Sequence, residues 1–216
     1  MSVEVNHARM LAVPIAPMTV EPVTLEGQFV RLEPLSMAHH EALCEALLDD
    51  DIWRWLPARV RTEDEMRDFI QLVLKLRDAG EALPFATIYK PENRVVGTTR
   101  YLTIDRGNHG IEIGATIVGK NWQRTAVNTE AKYLMLRYAF EVLGCLRVQF
   151  QTDSLNTKSK NAILRLGAKQ DGIFRNHKIC WDGRIRHSIY FSITDEEWPR
   201  VKADLEAKLA RPYPPS

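Results

Sequence analysis

The sequence contains little cysteine, almost no net charge and no long apolar run. Its three cysteines (Cys44, Cys145 and Cys180) are widely spaced and form no Cys-x-x-Cys pair, which argues against a disulfide framework or a zinc site. Lysine and arginine number 29 against 28 aspartates and glutamates, a formal net charge of +1, so a general nucleic-acid binder is not expected. No stretch approaches the roughly 18 apolar residues of a membrane span. There is no basic segment followed by an apolar one, so no secretory signal is expected. We therefore expect a cytoplasmic protein without a metal and without a nucleic-acid or membrane partner.

The hydrophobic pattern alternates between strand and helix periods along the 216 residues. Residues 29–32 and 111–117 repeat with period two, which is typical of strands, whereas residues 131–142 repeat with period 3.6. The whole pattern predicts the order β-α-α-β-β-β-α-β-α-β-β-α, which is a mixed α/β sheet with helices on both faces. Residues 1–26 are predicted to be an extended arm, 27–210 a single domain and 211–216 a loose tail.

Two of the predicted helices begin directly after a strand, near residues 125 and 156. A helix N-terminus presents unpaired N–H groups and a partial positive charge, which favours an anion. Lys120, Arg124 and Lys158 add positive charge at these junctions. One interpretation is a polyanionic ligand that bridges both helices. The alternative is that these basic residues are merely solvated, because every βαβ unit has such junctions.

Residues 123–131, with the sequence QRTAVNTEA, resemble the acetyl-CoA pyrophosphate loop of GNAT-family N-acetyltransferases. That loop follows the pattern Gln/Arg-x-x-Gly-x-Gly/Ala, and Thr-Glu-Ala commonly follows it in the RimJ/RimL-like branch. Further segments resemble the same branch in the same order: residues 112–114, 153–159, 166–173 and 183–199. The resemblance covers about residues 25–210 of the chain.

The chain departs from the family pattern at two places. Ala126 and Asn128 stand where the family prefers small residues, usually glycine at the first. The methyl group of Ala126 is compatible with a nearby phosphate if the backbone there is helical, and Asn128 offers a side-chain hydrogen bond. His187-Ser188 replaces a common Asp-Thr pair, and nothing in the sequence explains that change.

The resemblance implies a GNAT fold, with a mostly antiparallel, twisted sheet and helices on both faces. It also implies direct transfer of an acetyl group from acetyl-CoA to an amine, without a metal. By the same resemblance, backbone groups of Ile117 and Val118 bind the pantetheine arm. The expected contacts with the rest of acetyl-CoA come from Gln123, Arg124, Thr125, Ala126, Val127, Asn128, Thr129, Asn156 and Lys158.

Two proton transfers accompany such a reaction. Glu112 is our candidate to accept the proton of the attacking amine, directly or through water, and Ser159 is our candidate to protonate the departing thiolate. Glu112 could instead only order the loop, and Ser159 could be a helix residue without a catalytic part. Trp53 and Trp55 are predicted to wall the acceptor side of the cleft, since an indole can stack on an apolar or cationic group. The alternative is that one indole belongs to the core and the other to the surface.

The acceptor class stays open among a protein N-terminal α-amine, a small metabolite and an amine-bearing antibiotic. An α-amine with a pKa near 8 is more readily deprotonated than a lysine with a pKa near 10.4, which slightly favours the α-amine. A second hypothesis is a non-catalytic, acyl-CoA-binding module, which the unusual Ala126/Asn128 loop motivates. The sequence is compatible with a monomer or a homodimer.

Overall fold

A computed structural model describes residues 16–211 of the chain. The first part of the predicted arm (residues 1–15) and most of the predicted tail (residues 212–216) lie outside the described residues. The strands are β1 (Leu25–Glu26), β2 (Val30–Pro34), β3 (Ala82–Tyr89), β4 (Arg94–Asp105), β5 (Gly110–Val118), β6 (Arg147–Asp153), β7 (Lys169–Ile179) and β8 (Ile185–Thr194). The α-helices are α1 (His40–Leu47), α2 (Asp50–Trp53), α3 (Glu63–Asp78), α4 (Ala126–Glu141), α5 (Thr157–Arg165) and α6 (Trp198–Leu209).

The strands form one sheet in the order β1-β2-β3-β4-β5-β6-β8-β7. All neighbouring pairs are antiparallel except β5 and β6, which are parallel. Such a parallel pair needs a crossover connection, and α4 supplies it. The mixed, mostly antiparallel sheet that the sequence predicted is therefore confirmed.

Each face of the sheet has its own hydrophobic core. Helices α1, α2 and α3 cover one face, where their apolar side chains pack on Ala86, Ile88 and Ile117. Helices α4, α5 and α6 cover the opposite face, where Tyr101 and Phe150 belong to the core. We call these the α1–α3 face and the α4 face. The α1–α3 helices pack mainly over β3, β4 and β5, so β6, β8 and β7 carry no helix of this group.

Two local predictions differ from the structure at the N-terminal side. The first of the two helices predicted between the first two strands is interrupted, and the chain there forms a short 3-10 turn, α1 and the separate helix α2. The end of the predicted arm is part of the sheet, because Leu25–Glu26 pairs with β2. Met18 is buried as well, and its sulfur lies 3.6 Å from that of Cys145. Apolar contacts with the core therefore hold the described part of the arm against the domain.

Candidate active site

The strands β5 and β6 separate soon after they meet. Their pairing is limited to residues 110–112 of β5 and 147–149 of β6. From Ile113 to Val118, β5 pairs only with β4, and that pairing contains a bulge around Ala115, whose φ is +45°. A bulge bends the strand and redirects its backbone groups. The separation leaves a cleft in the sheet, lined by backbone groups of β5 without a strand partner on that side.

The N-terminus of α4 lies just beyond the open end of this cleft. Thr125 is the N-cap residue, and its hydroxyl accepts a hydrogen bond from the Val127 N–H at 3.3 Å and donates one to the Trp122 carbonyl at 2.7 Å. The side chains of Ala126 and Val127 are buried, so at these two positions the backbone alone can contact a ligand. Ala126 is the first helical residue, which satisfies the condition set above for its methyl group.

Arg124 takes the conformation that would suit a glycine in this loop. Its φ is +66°, in the left-handed region that side chains rarely adopt. The arginine side chain is exposed immediately before the α4 N-terminus. The conformational demand of the turn therefore falls on Arg124 and not on Ala126 or Asn128, the two positions at which the sequence departs from the family pattern.

Lys120 is engaged elsewhere. Its ammonium group forms ion pairs with Asp49 at 2.7 Å and with Asp51 at 2.9 Å, and these hydrogen bonds raise the pKa of Lys120 above 10.5. The interpretation of Lys120 as an anion-binding cation at this junction is therefore corrected: two carboxylates from the start of α2 already neutralise it.

The N-terminus of α5 is tied to the same end of the cleft. The side chain of Asn156 caps α5 by accepting a hydrogen bond from the Ser159 N–H at 3.0 Å. Lys158 donates to Gln123 at 2.5 Å, and the Gln123 side chain donates to the Val118 carbonyl at 2.9 Å. Gln123 thus links the end of β5 to α5. Both helix N-termini therefore lie at the open end of the cleft, beyond the ends of β5 and β6.

Glu112 lies on the α1–α3 face beside the point of separation. It is 6% exposed, and its carboxylate accepts hydrogen bonds from Gln149 at 3.2 Å and Thr103 at 3.4 Å. Burial raises the pKa of Glu112 above 4.5, although the Gln149 hydrogen bond and the nearby positive charge of Lys178 oppose the shift. A carboxylate with a raised pKa is suited to accept a proton near neutral pH.

The absence of a side chain at Gly114 leaves space for the Glu112 carboxylate. A Cβ atom at Gly114 would lie 2.9 Å from Oε1 of Glu112, closer than real Cβ atoms approach, and 3.1 Å from a methyl group of Leu102, which is a tight contact. The missing side chain lets the Glu112 carboxylate lie over the strand in the direction of the bulge at Ala115. This explains physically why glutamate and glycine occur two residues apart in the 112–114 segment.

The two tryptophans have different environments. Trp53 is 1% exposed; its indole N–H donates to the Leu47 carbonyl at 2.8 Å, and its ring packs edge-on against Phe69. The prediction that Trp53 contacts the acceptor is therefore wrong, because its whole surface is used in the core. Trp55 is half-buried, with the guanidinium of Arg184 5.4 Å from its ring centroid, and it remains a candidate.

Sequence reasoning missed a buried lysine on α4. Lys132 is 5% exposed and donates to the hydroxyls of Thr99 on β4 and Thr116 on β5. Burial lowers its pKa from 10.5 to about 7. Its bonds join the two strands across the bulge. The sequence carried a signal, because Lys132 shares one helical face with Met135, Leu136 and Ala139 and so had to be buried.

Sequence reasoning also missed a group of cations around Glu112, namely Arg100, Lys178 and Arg186. They come from β4, β7 and β8, and their charges act on one another and on Glu112. Within residues 16–211, no three His, Cys, Asp or Glu side chains converge as a metal site would require. No described helix is long and apolar enough to cross a membrane.

Comparison with known proteins decides the family. Residues 30–169 match the acetyltransferase (GNAT) domain. The chain belongs to the GNAT acetyltransferase family. A solved GCN5-related N-acetyltransferase from Brucella melitensis is 33% identical, with a TM-score of 0.83 over 91% of this chain and 90% of that one. The uncharacterized N-acetyltransferase p20 of Bacillus licheniformis is 25% identical over 81% of this chain and 98% of its own.

A third similar protein shares the GNAT fold and was solved with a form of the cofactor. RimJ of Mycobacterium smegmatis, in complex with CoA-disulfide, is 21% identical, with a TM-score of 0.76 over 87% of this chain and 95% of that one. GNAT acetyltransferases use acetyl-CoA, so this chain is an acetyl-CoA-dependent acyltransferase.

Proposed function

We propose that this GNAT enzyme transfers the acetyl group of acetyl-CoA directly to a primary amine that enters the cleft from the α1–α3 face. One observation carries the proposal: β5 separates from β6 beside a buried carboxylate, and the opening ends at two helix N-termini. The thioester and the amine could meet inside the sheet, each arriving from a different side.

The residues on the cofactor side fit a pyrophosphate. The α4 helix begins beyond the open end of the cleft, and a helix N-terminus favours an anion because the N–H groups of its first turn have no partner within the helix. Arg124 and Lys158 add positive charge on either side. We assign the pyrophosphate to residues 123–129 together with Asn156 and Lys158, and the pantetheine arm to the backbone of Ile117 and Val118. Acetyl-CoA supplies the activated acetyl group when bound.

The residues of the chain then have two proton-transfer roles. Glu112, whose pKa burial raises, accepts the proton of the amine directly or through one water molecule. Ser159, at the third position of α5, donates a proton to the departing sulfur. Backbone N–H groups at the β5 bulge stabilise the negative charge that develops on the acetyl oxygen.

The acceptor is a protein N-terminal α-amine, a small metabolite or an amine-bearing antibiotic. A single carboxylate base suits an α-amine better than a lysine, because the difference in deprotonation cost is about 3 kcal/mol. Trp55 lies where α2 leads into α3, beside the β7–β8 hairpin, and we assign it to the acceptor wall.

The test has a binding arm and a turnover arm. Acetyl-CoA at 100 times its dissociation constant should stabilise the folded protein by about 2.7 kcal/mol, seen as a rise in melting temperature. Free thiol should then appear only when acetyl-CoA and an amine are both present. Binding without thiol release for any amine would instead favour the non-catalytic hypothesis, and absence of a thermal shift at millimolar acetyl-CoA would contradict the proposal altogether.

A further inference from the structure

The α1–α3 face carries positive charge that no other group within residues 16–211 neutralises. Arg100 pairs with Gly114 across β4 and β5, and Glu112 lies two residues before Gly114, so both side chains stand on this face. Gln149 and Gln151 of β6 continue the same face, because Gln149 pairs with Glu112. The register then extends it through Tyr190 and Arg186 of β8 to Lys178 of β7.

Arg186 is buried among neutral partners. It is 5% exposed, and its guanidinium donates to the Ser188 hydroxyl at 3.0 Å, the Gln151 side-chain carbonyl at 3.1 Å and the Trp55 carbonyl at 3.5 Å. The nearest carboxylate influence is Asp153, which is already paired with Arg184 at 2.8 Å. Burying an arginine without its own counter-ion is costly.

Lys178 and Arg100 have even fewer partners. Lys178 stands directly opposite Arg186 in the β7–β8 register, and two like charges in that position repel each other. Burial and the charges of Arg186 and Arg100 lower the pKa of Lys178. Nε of Arg100 is buried without a hydrogen-bond partner among the described residues, and its guanidinium lies 5.8 Å from the ring centroid of Phe69.

The charge balance of this cluster is positive. The three cations Arg100, Lys178 and Arg186 face one carboxylate, that of Glu112, once Asp153 and Arg184 are paired with each other. Protonation of Glu112 would make the excess larger. An anionic group placed here would therefore be attracted by three positive charges, and hydrogen bonds to charged groups are stronger than neutral ones.

The phosphates of CoA are not suited to fill this place. The cluster lies on the α1–α3 face, whereas α4 and α5 pack on the opposite face. Glu112 is also six residues from Val118 along β5, which is about 20 Å at the rise of a strand. The amine must come to Glu112 to lose its proton, so a group that reaches the surrounding cations belongs to the acceptor.

We propose that the cluster of Arg100, Lys178 and Arg186 binds a carboxylate of the acceptor, so that the substrates are amines that carry a carboxylate near the amino group. Free amino acids and peptides with an acidic N-terminal residue share this chemistry. The inference rests on the acetyl-transfer function proposed above and narrows its acceptor class.

The test compares acceptors that differ only in charge. The pairs are free aspartate against free asparagine, alanine against alaninamide, and an Asp-initiated peptide amide against its Asn counterpart, with rates expressed per neutral amine. We expect kcat/KM to be at least about tenfold higher for the more anionic member. Preference in the alanine pair points to an amino acid, and preference in the peptide pair to a peptide.

A matched pair of variants assigns the effect to the cluster. Lys178→Gln should reduce the preference about tenfold, whereas Arg175→Gln, an exposed residue of the same strand, removes the same charge and should leave it intact. A turnover-independent readout is the thermal shift with N-acetylaspartate against N-acetylasparagine, which should favour the acid and lose that difference in Lys178→Gln.

Three results would overturn the inference. One is equal kcat/KM within all charge pairs together with equal thermal shifts for the two acetylated products. Another is a preference that Lys178→Gln leaves unchanged, and the third is a stronger preference for a phosphate-bearing amine. Failure of the proposed function would look different, because acetyl-CoA would then give no thermal shift, or would bind without thiol release for any amine. The product-binding arm would still report on the cluster in either case.

Discussion

The two sides of the cleft offer different kinds of chemical groups to a ligand. On the proposed cofactor side, the groups available to a ligand are largely backbone N–H groups at the α4 N-terminus, because the side chains of Ala126 and Val127 are buried. On the acceptor side they are side chains of Glu112, Arg100, Lys178 and Arg186. A binding site made of backbone groups is expected to tolerate changes of sequence, whereas a binding site made of side chains is expected to change its selectivity with each substitution.

The largest effect is expected from removing the carboxylate of the acceptor side. Glu112→Gln should lower kcat/KM by about 10²–10⁴-fold, the usual contribution of general base catalysis, with little change in acetyl-CoA affinity. Because burial raises the pKa of Glu112 above 4.5, wild-type activity should fall as pH drops through that raised value, and the variant should lose this acidic limb. Glu92→Gln, at an exposed carboxylate in the β3–β4 turn, is the control. Unchanged rates in Glu112→Gln would assign the proton transfer to water or to another residue.

A smaller loss of turnover is expected from a substitution of Ser159, at the start of α5. Ser159→Ala should lower kcat by about 10²-fold, the low end for general acid help, since water can substitute in an open cleft. The dissociation constant of acetyl-CoA, measured by titration calorimetry, should stay the same. A parallel loss of affinity and turnover would show that Ser159 supports the helix start beside Asn156 and takes no part in proton transfer.

Substitutions of the two tryptophans should have different effects, because Trp53 belongs to the core and Trp55 is assigned to the acceptor wall. Trp55→Ala should raise the acceptor KM by up to roughly 30-fold, since an indole contact with a cationic or flat group is worth about 0.5–2 kcal/mol. Trp53→Ala should instead lower the free energy of unfolding by about 3–5 kcal/mol, because it empties a buried site. Kinetics and urea denaturation of both variants test this contrast. Large destabilisation by both, with an unchanged KM, would place the acceptor wall in the β7–β8 hairpin.

The smallest effect, counted per pH unit, is expected in the free energy of unfolding and comes from Lys132 on the α4 face. The pKa of Lys132 is about 7 in the folded protein, against 10.5 in an unfolded chain. Between these values the unfolded state binds more protons, so the free energy of unfolding should rise with pH, by at most about 1.4 kcal/mol per pH unit. Below about pH 7 Lys132 is protonated in both the folded and the unfolded state, so it gives the free energy of unfolding no dependence on pH.

Lys132→Met should remove that rise without leaving the threonines unpaired, because Thr99 and Thr116 also bond each other at 2.8 Å. Urea denaturation at pH 7 and pH 9 measures it. Lys75→Met, at an exposed position of α3, should keep the wild-type slope. An identical slope in Lys132→Met would mean that the Lys132 ammonium stays charged inside the protein.

Glu130 belongs to a motif that is visible in the sequence, but the sequence does not reveal what its side chain does. It belongs to the Thr-Glu-Ala segment that contributed to the resemblance, yet its carboxylate faces away from the cleft. It accepts backbone N–H bonds from Gln28, Phe29 and Val30 at 2.8, 2.6 and 2.6 Å. Gly27 leaves room for it, since a Cβ there would lie 2.5 Å from the carboxylate carbon. Its partners are about 100 residues away in sequence, so only the fold could identify them.

Outside the region of α1 and α2, the predictions that depended on neighbours in sequence agree with the structure. The change from period two to period 3.6 located β5 and α4, and Thr125 and Asn156 cap α4 and α5 where the sequence predicted their starts. These features are local, because a cap bonds an N–H two or three residues away. The Thr62 cap of α3, which accepts from the Glu65 N–H at 3.1 Å, follows the same rule.

By itself the sequence determined the order of the elements, the starts of the two helices that directly follow β5 and β6, and the family. Only the tertiary structure decided that β5 leaves β6 after residue 112, that Trp53 is buried while Trp55 is not, and that Lys120 is neutralised by Asp49 and Asp51. It alone brought cations from β4, β7 and β8 to Glu112. The physical reason is range: periodicity and capping act over a few residues, whereas strand register joins groups that the chain separates by dozens of positions.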